Sequence, residues 1–178
     1  MAAAERYGPG EEPKDFEPGD FILAHRHNLL GGLISQAQKR RFRGADAVYA
    51  HWTHSAMIVG KDGSLVEAEV NGVRQNPISR YRGNEYHLVR LGHEFSAEGR
   101  ARAVEYSRAQ VGQGFGFLDM FGVGLYLLFG WPVRLARRGH EICSGLVVKG
   151  LQAGGLVRQL DPFLTLPADL AKLYDVHP

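Results

Sequence analysis

One cysteine, Cys143, stands in a chain of 178 residues. A single thiol cannot close an intramolecular disulfide, so this count fits a reducing compartment and leaves stability to the core. An excess of one charge is also missing: 21 Lys and Arg against 19 Asp and Glu give a formal net charge of +2, which argues against nucleic-acid binding as the main task. No glycine-rich phosphate fingerprint follows a strand, so nucleotide binding has no support. There is no internal repeat. The opening MAAAERYGPGEEPKDFEPGD has no apolar region behind a basic one and does not read as a Sec signal peptide. The default expectation is a cytoplasmic protein, with peripheral membrane association or export by another route left open. An unbroken apolar run is lacking as well. The longest, residues 115–133, is interrupted by Asp119, four glycines and Pro132, which favours a helix packed over or beside a site above a membrane span.

What is present is ordinary globular composition, 44% hydrophobic and 22% charged, enough for one core and one domain. Residues 1–17, rich in Glu, Pro and Gly, read as a flexible lead-in to a single domain over 18–178. Gly19 to His25 reads as a strand, and Leu29, Leu30, Leu33 and Ile34 fall at helical spacing in the segment that follows. Thr53 to Gly60 and Ser64 to Val70 flank Asp62-Gly63 as a hairpin, and residues 72–81 and 86–91 supply further extended pieces. Helices are expected from the N-cap Ser96, from Phe117, from Ser144 up to Gly154-Gly155, and from Pro167. Strands in one run with helices around them describe an α+β domain built on an antiparallel sheet. The basic runs 38–43 and 134–140 are solvated faces or contacts for an anionic partner such as a membrane or a wall polymer.

The hairpin carries the chemistry. A two-residue turn at Asp62-Gly63 places Ile58 opposite Glu67, Ala56 opposite Glu69 and His54 opposite Asn71, so that His54, Glu67, Glu69 and Asn71 share one face. A histidine and a carboxylate on one face form a base and the group that orients it. The plain alternative is an exposed polar strand face, against which Ala56 and Ile58 argue for burial. Cys143 falls in the first turn of a helix, where unpaired amides and the helix dipole favour a thiolate; the alternative is a small buried filler. His25-x-His27 and His51-x-x-His54 lack a closed four-ligand pattern, so no metal or cofactor is expected.

ICSGLV (Ile142 to Val147) resembles the nucleophile motif of the NlpC-type papain-like cell-wall peptidases, and THSAMIVGKDGSLVEA (Thr53 to Ala68) resembles their histidine-bearing hairpin. In this chain the histidine precedes the cysteine, an order similar to the circularly permuted, YiiX-like branch of papain-like amidases. PGDFILAH, VNGVRQNPISRY and LTLPADLAKL resemble further segments of that branch, so the resemblance runs over about residues 18–174. The branch often has Glu two places after the cysteine, where this chain has Gly145.

The resemblance implies a permuted papain-like fold and a thiol amidase or peptidase without a cofactor. Cys143 would attack a carbonyl, His54 shuttle the proton and Glu67 orient His54. Glu69 competes for the third role, Ser144 and His25 are further binding positions, and His25 and Arg26 are candidates for a side-chain oxyanion donor. The implied substrate is a peptide amide, cell-wall peptides included. A lipid ester or acyl chain and a non-catalytic binding module on the same fold are the alternatives. The oligomeric state stays open.

Overall fold

The computed structural model describes residues 2–26, 29–115 and 140–178. The helix expected from Phe117 and the basic residues Arg134, Arg137 and Arg138 lie outside the described residues. Six strands form one sheet in the order β1-β6-β2-β3-β4-β5: β1 (Ala3–Tyr7), β2 (Phe21–Ala24), β3 (His54–Ile58), β4 (Ser64–Glu69), β5 (Gly72–Pro77) and β6 (Tyr86–Arg90). Every pairing in it is antiparallel. Among the described residues four α-helices accompany the sheet: α1 (Leu29–Arg41), α2 (Ala97–Ala109), α3 (Cys143–Ala153) and α4 (Pro167–Leu173). The chain is thus α+β. A short parallel pair, β7 (Gly114–Phe115) with β8 (His140–Glu141), forms a second sheet beside β5, to which the chain before β7 is joined by hydrogen bonds between Val73 and both Gly112 and Gln113.

Both faces of the central strands are covered. Phe21, Leu23, Met57, Val66 and Val89 join the core that includes Leu146, Val147 and Leu151 of α3. Ile22, Ala24, Ala56, Ile58, Leu65 and Leu88 form a second cluster with Tyr81 and Tyr86. Double coverage explains why β2 and β3 read as continuous apolar runs and not as alternating ones. Helices α2 and α3 approach closely at glycines: a Cβ on Gly99 would meet the Gly154 carbonyl oxygen at 2.7 Å. At Gly150 a Cβ would meet Met57 Cε and Ser107 Oγ, each at 2.9 Å. Buried Gln38 ties the layers together, donating to the carbonyls of Ala50 (3.3 Å) and Trp52 (2.8 Å) and accepting from the Ala168 amide (3.0 Å).

Two expectations are corrected. Part of the lead-in expected over residues 1–17 is an edge strand: β1 pairs with β6, Tyr7 stacks on Tyr86 at 5.4 Å between ring centroids, and Arg6 meets Glu85 at 2.9 Å. An edge strand carries charge where a central one carries apolar residues, so it reads as polar chain. The turn between β3 and β4 is also longer than two residues. Val59 and Gly60 both donate to the Ser64 carbonyl, and Asp62 Oδ1 accepts the Ser64 amide at 3.0 Å. Met57 therefore faces Val66, and Ile58 faces Leu65. The register moves by two residues, an even step, so His54, Glu67 and Glu69 keep their common face.

His87 gives the fold a pH dependence. It is buried at 7% exposure, its Nε2 has no hydrogen-bond partner, and its ring meets Trp52 edge-on at 4.7 Å. Burial is the main cause that depresses its pKa to about 4, outweighing the attraction of Glu85. An unfolded histidine takes up a proton below about 6.5, so between 6.5 and 4 the unfolded state binds more protons and stability falls as pH falls. Denaturant titrations from pH 7 to pH 4 are expected to show this loss, and His87→Phe is expected to flatten it.

Candidate active site

His54 opens β3 and pairs across β2 with Ala24. The ladder between β3 and β4 comprises only Met57↔Val66 and Ile58↔Leu65, whereas β4 and β5 pair over six residues. Toward His54 the two strands part, and the start of α3 meets β3 there. The backbone N–H groups of Ser55 and Ser144 both point at the Cys143 sulfur. The parting of the hairpin is what lets a cysteine on the helix layer meet a histidine from the opposite face of the sheet.

Cys143 and His54 are in side-chain hydrogen-bond contact, and both are buried. His54 Nε2 lies 2.7 Å from Glu67 Oε2, so Nδ1 is the ring nitrogen left for the thiol. Glu67 is completely buried. Its Oε2 also accepts from Arg26 Nη2 at 2.7 Å and from the Tyr81 hydroxyl at 2.5 Å, while Oε1 accepts from Asn76 Nδ2 at 2.9 Å. Four donors replace the water that a carboxylate loses on burial.

The electrostatics follow from these contacts. Burial pushes the Glu67 carboxyl up, but the His54 hydrogen bond and charge, the Arg26 charge and the Tyr81 hydroxyl together hold it at about 2. Burial pushes the Cys143 thiol up as well; the His54 hydrogen bond and charge and the two backbone amides outweigh it, so the thiol lies below its ordinary value. Burial and the Arg26 charge lower the His54 pKa, yet the bonds to Cys143 and Glu67 carry it above the ordinary histidine value. Each group thus favours the charged form of its neighbour: a protonated His54 ring favours the Cys143 thiolate, and the Glu67 carboxylate favours the protonated ring.

The remaining positions expected at the site have other duties. Glu69 is not at the imidazole: its Oε1 accepts from Arg26 Nη1 and its Oε2 from Arg80 Nη1, each at 3.0 Å. The Ser144 side chain turns inward and donates to the Thr165 carbonyl at 2.6 Å. His25 Nδ1 donates to the His51 carbonyl at 2.6 Å, and the two rings stack at 4.3 Å. Arg26, considered as an oxyanion donor, spends its guanidinium on Glu67, Glu69 and the Tyr81 hydroxyl. Gly145 packs so that a Cβ would stand 2.6 Å from the Pro162 carbonyl oxygen, leaving no room for a glutamate there.

Tyr81 and Asn76 were missed from sequence. Asn76 was within reach of the same strand-face argument, because Glu67 pairs with Arg74 in β5 and residues two apart share a face. Tyr81 follows β5 in a 3-10 turn, Ile78–Tyr81, and carries no period that marks it. Among the described residues, no cluster of three or more His, Cys, Asp or Glu side chains could hold a metal ion, and no helix is long and apolar enough to cross a membrane.

No protein-family model matches the chain, and no curated protein matches it. The site therefore rests on its own geometry.

That geometry sets the reactivity of the thiol. Iodoacetamide alkylation of Cys143 is expected to begin well below the range of a free cysteine, which titrates near 8.5. His54→Ala is expected to move the profile to higher pH, since it removes the cation beside the sulfur. A profile like that of free cysteine, unchanged by His54→Ala, would make Cys143 a packing residue.

Proposed function

We propose that the protein is a thiol hydrolase of the papain-like kind in which Cys143 is the nucleophile, His54 the proton shuttle and Glu67 the group that orients His54. The observation that carries this reading is the continuous contact from Cys143 through His54 to the buried, ionised Glu67. A carboxylate buried with four donors costs desolvation that a merely structural histidine does not require. The reading explains it: such a carboxylate fixes the tautomer and ring plane of the base.

In the proposed reaction the Cys143 thiolate attacks the carbonyl carbon of an amide or ester. A C–S bond forms, and the carbonyl electron pair moves to oxygen. Cys143 occupies the first position of α3, where its own N–H has no partner within the helix, so an oxyanion beside it meets a donor and the positive end of the helix dipole. Collapse of the intermediate breaks the C–N or C–O bond, and His54 gives its proton to the departing amine or alcohol. Water then attacks the thioester while His54 takes a proton from it, and the thiolate leaves. Apart from the water, every step is served by side chains and backbone groups of this chain.

The substrate class is proposed as peptide amides, cell-wall peptides included. The test is a panel of peptide amides and phospholipid esters run with wild-type protein, Cys143→Ala, His54→Ala and Glu67→Gln. Turnover of a peptide amide, abolished by Cys143→Ala and lowered by about 10²–10⁴-fold in His54→Ala, is the expected result. Turnover of phospholipid esters alone would replace the substrate class. Turnover unaffected by Cys143→Ala would end the proposal.

A further inference from the structure

Behind the three groups of the site the structure holds a second line of charge. Arg26 follows β2, and its backbone N–H donates to Thr53 Oγ1 at 2.9 Å, next to His54 in sequence. Its guanidinium sends Nη2 to Glu67 Oε2 at 2.7 Å and Nη1 to Glu69 Oε1 at 3.0 Å, and lies 5.3 Å from the centre of the Tyr81 ring. Glu69 in turn meets Arg80, a half-exposed residue, at 3.0 Å. From the sulfur outward the charges alternate: Cys143, His54, Glu67, Arg26, Glu69, Arg80. A guanidinium bridging two carboxylates uses the fork geometry that an ammonium lacks.

We propose, on the thiol-site reading above, that Arg26 is a positioning residue: its fork clamps Glu67 and Glu69 together and, through Glu67, holds the His54 ring against Cys143. It makes no contact of its own with the reacting atoms. Without Arg26, Glu67 keeps Tyr81, Asn76 and His54 as donors but loses its fixed countercharge. Two adjacent acidic side chains on one strand face would then repel each other, and the side of the carboxylate that His54 meets would be held by Tyr81 and Asn76 alone. Glu69, with its anchor Arg80, restrains Arg26 from the solvent side. The charged and titratable groups facing Arg26 are Glu67 and Glu69 from β4, Tyr81 from the turn after β5, and His54 from β3.

The sign of each effect is fixed by the charge removed. Loss of the Arg26 cation raises the pKa of the nearby thiol and imidazolium, so both move to higher pH. Loss of the Glu69 anion moves them to lower pH. Arg26→Lys keeps the charge and loses the fork, so it restores the titration while leaving the ring less well held.

The test reads Cys143 alkylation by iodoacetamide against pH, together with the His54 ring resonances by NMR, in wild type, Arg26→Met, Arg26→Lys and Glu69→Gln. Arg26→Met is expected to shift the acid limb and the His54 titration upward by about one pH unit, the scale of a unit charge one residue away at an effective dielectric near 20. Glu69→Gln is expected to shift them downward, by less. In Arg26→Lys the limb returns toward wild type while alkylation at its plateau stays slower. Profiles of Arg26→Met and Glu69→Gln that superimpose on a wild-type limb already below the free-thiol range would overturn the role of Arg26 alone. A wild-type limb at the free-thiol value would instead overturn the thiol-site reading. If Arg26→Met fails to fold, the half-exposed side supplies the decision: Glu69→Gln must still shift the limb downward, and a limb that stays in place rejects the proposal.

Discussion

A carboxylate that is sealed from water and still ionised needs its donors in place before the chain can close around it. Glu67 obtains them from four separate segments: His54 at the start of β3, Arg26 after β2, Asn76 in β5 and Tyr81 in the turn beyond. The order of the sheet brings them within reach, because β2, β3, β4 and β5 are consecutive neighbours. Removing any one donor leaves a buried acceptor short of a partner, at a cost of about 1–3 kcal/mol and more where the donor is charged. The same four donors that make burial tolerable also fix where the imidazole stands.

The sulfur is placed by a different device. β3 and β4 pair over two positions only and then separate. The Ser55 N–H, which a continuous hairpin could pair across the sheet, instead joins the Ser144 N–H at Cys143. Small residues bring the helix close enough for this: Gly145 lies against the Pro162 carbonyl and Gly150 against Met57. A side chain at either position would push α3 outward and carry Cys143 with it. The helix start that lowers the thiol pKa and the glycines that seat the helix are therefore parts of one arrangement.

Much of this was legible in the sequence, for reasons that are specific. The strand period is two, so His54 and Glu67 keep a common face even though the turn is longer than Asp62-Gly63 suggested and the register moved by two residues. Cys143 at a helix start was legible from the change of pattern at Ser144 and the terminating Gly154-Gly155. The choice between Glu67 and Glu69 was not, because both lie on the right face; it is decided by Arg26 and Arg80, which draw Glu69 away. Tyr81 and Arg26 come from segments whose approach only tertiary packing defines. β1 went unread because an edge strand rich in charge looks like linker.

The central claim is that Cys143 is a thiolate at neutral pH because an imidazolium, held by Glu67, stands beside it. The most direct measurement is the ultraviolet absorbance of the thiolate, taken as the difference between wild-type protein and Cys143→Ser from acid to alkaline pH. The account predicts that the thiolate band is fully developed by neutral pH and recedes in His54→Ala. A band that emerges only near 8.5, where an ordinary cysteine ionises, with the same midpoint in His54→Ala, would contradict it.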